Sequence, residues 1–274
     1  MSLEYNDKQI EDRIRISPSS LYDYYDNPAR WFKRNVLKER DGTNENLIIG
    51  NIIHSRIEQY YKGEAIDYDA ELEYLDKFKD NPDIDEWSIT NTVLETWKYL
   101  EAEYLPTTIK PDSMEQWIEY IPRSNEDVFI GGTYDYIRYE DNLCLAKILG
   151  DYKTCNSLPT GIKTHHRLQL YAYTFMLNMQ GEAIDKIEVT YIQKWDKGKE
   201  NEKWLNASAL DKSKYKQYIG SKKTDVKVFT EAIDEELYSQ VVEDFKNLGT
   251  ILSMCKKDKK LVPLFFRRNY LSHF

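Results

Sequence analysis

The chain has 274 residues, 41% of them hydrophobic and 14% aromatic, enough for one large domain or two small ones. It contains no run of about 18 apolar residues, and its opening MSLEYNDKQIEDR lacks the apolar stretch of a secretory signal, so a cytoplasmic protein without a membrane span is expected. A formal net charge of −9 argues against a protein that simply coats phosphates.

Distribution matters more than the sum. The segment from Glu58 to Glu103 is strongly acidic, whereas Lys194 to Lys223 holds nine lysines against four acids. Lys256, Lys257, Lys259, Lys260, Arg267 and Arg268 add a second basic run. An acidic basin between basic strips suits a metal and a polyanion together; solvated lysine faces are the plainer reading. Cys144, Cys155 and Cys255 match neither a zinc knuckle nor a disulfide framework and read as small apolar residues of a reducing compartment.

In chain order, Ser17-Pro18-Ser19-Ser20 predicts a helix start, with a capping serine and a proline in the first turn. Leu21, Tyr24, Tyr25, Trp31 and Phe32 then follow helical spacing, interrupted at Pro28, which predicts helix, turn, helix. Gly50 is read as opening the next helix, with Ile53, Ile57, Tyr60 and Tyr61 on one stripe. Two further helices are expected over 69–80 and 85–105.

The period then falls to two. Strands are predicted over 115–121, 128–137 and, after a turn at Asp141-Asn142, from Leu143 to Thr154, forming an antiparallel meander. A helix over about 165–179, a strand over 186–192, a basic loop-rich region and a helix near 234–255 complete the chain. The result is an α/β sheet core with helical decoration.

Phosphodiester hydrolysis needs carboxylates to hold a hard cation, an attacking water and charge stabilisation. Asp151-Tyr152-Lys153 ends an apolar strand, and alternation puts Asp151 and Lys153 on one face with Tyr152 on the other. Asp135, at the end of the neighbouring strand, meets Asp151 only if a twist, bulge or overhang corrects an asymmetric turn. Glu119 on the strand before is an auxiliary candidate, with Glu115 and Glu126 near it and no pattern to choose among them. His54 lies between Ile53 and Ile57, so a partly buried structural histidine is the plainer reading. Gln169 and Tyr173, one helical turn apart, could be a simple surface pair. His165 and His166 begin that helix and receive no role.

The segment GGTYDYI…ILGDYKT resembles the core of RecB-type nuclease domains in the PD-(D/E)XK superfamily. Three further segments resemble its motifs in order: SPSSLYDYYDNPARWFKRN, Gly50 to His54 with Glu58, and Gln169 to Tyr173. The match covers about residues 15–192. It implies a single domain over 1–274, with a nuclease core at about 110–195, an N-terminal helical part at about 15–105 and a C-terminal basic, helical part at about 196–274. It implies a mixed central sheet of the restriction-endonuclease-like type, flanked by helices, with helical additions at both ends. Asp135, Asp151 and Lys153 would be catalytic. His54, Asp135, Asp151 and the Tyr152 carbonyl would hold Mg²⁺ or Mn²⁺, and Gln169 and Tyr173 would contact substrate.

Many relatives carry four cysteines for an iron–sulfur cluster. Here Asn27 stands before Pro28 where the first would be, so no cluster is expected. The resemblance implies a DNA exonuclease of recombination, repair or phage DNA processing, working with recombination or replication proteins. The alternatives are a structure-selective or sequence-selective endonuclease, and a non-catalytic DNA-binding or assembly subunit.

Overall fold

The computed structural model describes residues 13–39, 42–122, 127–141 and 146–266. Strand β1 (Ile14–Ile16) leads through a single 3-10 turn into helices α1 (Leu21–Asp26) and α2 (Pro28–Asn35). The helix-turn-helix reading holds. The cap is Asn27, whose side chain accepts from the Arg30 amide while Pro28 takes the first helical position. Ser17 makes no side-chain cap bond. Ser20 instead donates to the Ser17 carbonyl and accepts from the Trp31 indole at 3.0 Å.

Helix α3 (Glu45–Lys62) starts at Asn44, which caps Leu47, and stops at Gly63 in the left-handed region, φ 74°. Gly50 therefore lies inside the helix and does not open it. A Cβ there would sit 3.2 Å from Thr154 Oγ1, so the glycine lets α3 press close to the strand that carries Asp151. Helix α4 (Tyr68–Asp76) ends earlier than its expected 80. Helix α5 (Glu86–Tyr99) continues as a wider π turn over Leu100–Tyr104.

Strands β2 (Ser113–Tyr120), β3 (Val128–Tyr139) and β4 (Lys147–Cys155) form the expected antiparallel meander. Helix α6 (Thr164–Met179) crosses over to β5 (Lys186–Gln193), which runs parallel to β4. A small ribbon of β6 (Lys199–Glu200) and β7 (Tyr218–Ile219) follows. Then β8 (Asp225–Ala232) adds antiparallel to β5, and helix α7 (Glu235–Lys257) closes the fold. The mixed main sheet has six strands, of which β1 and β8 were not expected from the sequence.

Both faces of the sheet are covered. Tyr136, Tyr152 and Ile192 pack with Ile53, Ile57, Val93 and Trp97 of α3 and α5. Ile137, Leu149, Ile187, Val189 and Tyr191 pack against α6, α7 and the N-terminal helices. The period-two alternation along β3, β4 and β5 feeds the two cores. No helix among the described residues is long and apolar enough to cross a membrane.

The register of β3 contains a fork. Ile130 pairs with Ile16 of β1 and also with Tyr120 of β2, so β1 and β2 lie on opposite edges. On the β1 edge, pairing stops at Ile130 and resumes with β4 only at Tyr136. Residues 131–135 stand between the two partners.

Candidate active site

The site forms at this fork. Pairs Tyr136↔Gly150 and Tyr139↔Lys147 are symmetric about position 143, so Asp135 and Asp151 fall level without overhang or bulge. The turn expected at Asp141-Asn142 falls partly on residues 142–145, which lie outside those described. Asp135 is within β3 and does not end it. Its Oδ2 accepts from the Tyr152 amide at 2.7 Å, where a strand carbonyl would otherwise serve.

Asp151 is 1% exposed and Asp135 9%. Lys153 Nζ donates to Asp151 Oδ1 at 2.8 Å, and Gln169 Nε2 approaches the same oxygen at 3.3 Å. The other oxygen, Asp151 Oδ2, is buried and has no hydrogen-bond partner. A buried, unsatisfied carboxylate oxygen costs about 1–3 kcal/mol or more unless something meets it. His54 Nδ1 lies 3.5 Å from Asp135 Oδ2, and its imidazole reaches the Tyr152 backbone carbonyl. The Tyr152 ring points away, tilted 40° against the Tyr136 ring with centroids 4.7 Å apart.

Burial and the Lys153 charge hold His54 down to about 4, so its ring is neutral near pH 7 with a lone pair to offer. Burial, aided by Asp135, lifts Asp151 to about 7 against the opposing pull of Lys153. Burial also raises Asp135. For Lys153, burial opposes the charge, but Asp151 and Asp135 prevail and its ammonium is strengthened. Such crowding of acids around one cation is the pattern of a site awaiting further positive charge.

Glu115 was the residue the sequence did not single out. Burial, then Asp135 and Glu58, push its carboxyl up to about 8. Ligand atoms of His54, Glu115 and Asp135 lie within 4.8 Å of one another. Its backbone holds φ 47°, rare for a residue other than glycine. Glu119, the earlier candidate, is exposed on β2 and accepts from the Trp117 indole at 3.3 Å. Glu126 lies outside the described residues.

Gln169 and Tyr173 are both buried on α6 against the site. Tyr173 donates to the Thr133 carbonyl at 2.6 Å, occupying the open edge of the fork. A Cβ at Gly132 would meet the Tyr173 hydroxyl at 2.6 Å, which explains glycine at that position. His166 bonds the Tyr191 hydroxyl at 2.8 Å, and His165 meets its ring edge-on. Cys155 is half-buried and Cys255 buried, far apart in the fold's order; Cys144 lies outside the described residues.

A neutral imidazole, carboxylates and a backbone carbonyl form a donor set suited to Mg²⁺ or Mn²⁺. The orphaned Asp151 oxygen fits such an ion. The family model of the PD-(D/E)XK nuclease superfamily matches residues 15–255. The chain belongs to the PD-(D/E)XK nuclease superfamily. A candidate exonuclease from Eubacterium rectale shares the PD-(D/E)XK chain's fold with a TM-score of 0.52 at 10% identity, over 93% of this chain and 88% of the other. SSO0001 aligns at 16% identity over 81% of this chain and 84% of its own, with a TM-score of 0.29, too low to carry an argument. No curated protein matches the sequence.

Proposed function

We propose that this PD-(D/E)XK protein is a Mg²⁺- or Mn²⁺-dependent deoxyribonuclease that degrades DNA from an accessible end. The observation that carries the reading is the Asp151 carboxylate: one oxygen held by Lys153 and Gln169, the other buried without a partner. A structural acid would have both oxygens satisfied. His54, Asp135, Asp151 and the Tyr152 carbonyl would hold the ion, with Glu115 beside them.

When bound, the metal supplies Lewis-acid stabilisation of the charge that develops on phosphorus and the leaving oxygen. The chain's residues do the rest. Lys153, kept cationic by its acids, orients the attacking water or neutralises a phosphate oxygen. Gln169 fixes the Asp151 carboxylate. Tyr173 holds the 131–135 edge in place, so the two aspartates stay level. His54 stays neutral and does not compete for the proton that water releases.

The exonuclease mode draws on the fold shared with the Eubacterium rectale protein and on the chain's RecB-like motifs. Recombination, repair or phage DNA processing is the setting we infer from those motifs. The test is end-labelled linear and closed circular DNA incubated with Mn²⁺, with EDTA as control. Loss of linear DNA with intact circles is expected. Cleaved circles would overturn the exonuclease mode in favour of an endonuclease. No cleavage of either would overturn catalysis and leave a DNA-binding or assembly subunit.

A further inference from the structure

Residues 194–223 leave the C-terminal end of β5 and return to start β8 as a separate arm. Its base is closed by the Asp196↔Lys222 bridge, with bonds of 3.0 and 2.8 Å, and its shaft is the β6–β7 ribbon. It is fastened to the catalytic strand. The Lys194 amide donates to the Cys155 carbonyl at 2.9 Å, and Lys222 Nζ donates to the Asn156 carbonyl at 2.7 Å and to Ser157 Oγ at 3.1 Å. Asn156 follows Asp151 by five residues, so the root of the arm lies roughly 17 Å from the catalytic carboxylate at about 3.3 Å per residue.

The arm is basic within an acidic protein. It contributes nine of the 38 basic residues and four of the 47 acidic ones, leaving 29 against 43 elsewhere. Among the described residues, Lys199, Lys203, Lys216 and Lys223 are exposed and have no carboxylate partner, while Lys197 and Lys212 lie over the rings of Trp87 and Trp204 at 4.4 and 4.1 Å. An arm serving only as a solvated decoration would gain by pairing these charges with the acids that abound elsewhere. At its far end Leu210 is 90% exposed, an apolar side chain that the fold does not use.

We propose that this arm grips the phosphate backbone of duplex DNA beside the cleavage centre, with Leu210 entering the groove. The proposal rests on the nuclease reading above. Duplex DNA presents about one charge per 1.7 Å of axis, so the distance from arm to site spans on the order of ten phosphates. The lysines hold what the acidic remainder repels, and an apolar tip meets base or sugar surface between the phosphate rows.

The experiment is fluorescence anisotropy of a labelled blunt duplex with full-length protein in EDTA, across a salt series. The variant Lys199→Gln/Lys203→Gln/Lys216→Gln/Lys223→Gln should flatten the slope of log affinity against log salt by about 3–4, at roughly 0.9 per phosphate contact. Leu210→Ser should weaken binding with no change of slope. Calorimetric Mn²⁺ binding and turnover at saturating DNA should stay at wild-type values in both. Wild-type protein that binds and cleaves DNA, beside a lysine variant of unchanged slope, overturns the arm and leaves the nuclease reading standing. Leu210→Ser at wild-type affinity overturns the groove contact. Wild-type protein that neither binds nor cleaves overturns both the arm and the reading beneath it.

Discussion

Glu115 stands directly across the β2–β3 ladder from Asp135: the pairs Met114↔Tyr136 and Gln116↔Tyr134 bracket them. The ladder pairing skips these two, and Glu115 holds φ 47°. A non-glycine residue in that region costs roughly 1–2 kcal/mol. Strain and like-charge crowding therefore fall on the same residue, and each is intelligible if an ion joins the two carboxylates.

Glu115→Gly separates the two effects. It should raise the melting temperature of the metal-free protein, since glycine accepts the backbone and removes a buried acid. It should also weaken Mn²⁺ binding, by at least the ~10-fold typical of ligand-supporting groups. Differential scanning fluorimetry and calorimetry read the two. A lower melting temperature together with unchanged Mn²⁺ affinity would assign Glu115 to the fold.

Lys153→Ala should reduce cleavage by roughly 10²–10⁴-fold with the far-UV spectrum unchanged, and Asp151→Asn should abolish the Mn²⁺ titration. Full activity of the lysine variant would remove its assigned role.

Acidity gives a third test. Asp151 at about 7 and Glu115 at about 8 both exceed the ~4 of an unfolded carboxyl. The folded state thus keeps protons that the unfolded chain has released. Their stabilisation is complete below about pH 4 and is lost as pH rises through 7 to 8. His54 at about 4 and His166 at about 2 act in the opposite sense, but only below the ~6.5 of unfolded histidine. In EDTA the melting temperature should therefore fall between pH 6.5 and 8.5, and Asp151→Asn/Glu115→Gln should shrink the fall. Added Mn²⁺, which needs deprotonated ligands, should stabilise more at pH 8.5 than at pH 6.5. Parallel curves for the two proteins would contradict this.

Tyr173→Phe removes the bond to the Thr133 carbonyl at the fork. A loss of about 1 kcal/mol is expected, with a drop in kcat and little change in KM. Gly132→Ala should give the same kinetic signature by pushing the tyrosine ring aside.

Arg56 clasps Glu71 with two bonds of 2.7 Å, joining α3 to α4 behind the His54 face. Their side chains are 5% and 13% exposed. Glu71→Ala leaves a buried guanidinium unpaired and should cost about 3–5 kcal/mol, visible as a lower denaturant midpoint with unchanged m-value.

What the sequence disclosed followed periodicity. The alternation Leu149, Asp151, Lys153 placed two catalytic candidates on one face, and helical spacing over 165–179 foretold α6. β1 escaped because three residues carry no period. β8 escaped because its Val226 and Val228 sit among Asp225, Lys227 and exposed neighbours on an edge strand, which reads like a basic loop. Gly50 looked like a helix start because close packing and helix breaking call for the same residue. Glu115 could not be told from Glu119 and Glu126, because its position opposite Asp135 depends on the register between β2 and β3.

Asp135 is also a mortar between strands, since its carboxylate receives the Tyr152 amide where β3 and β4 part. A descendant that abandoned hydrolysis would still need an acceptor at that spot to keep its sheet closed. Lys153 offsets the charge of Asp151 on its own strand but bridges no two strands. Among relatives, then, an aspartate at 135 speaks for architecture, and it is the lysine whose loss would betray an enzyme turned binder.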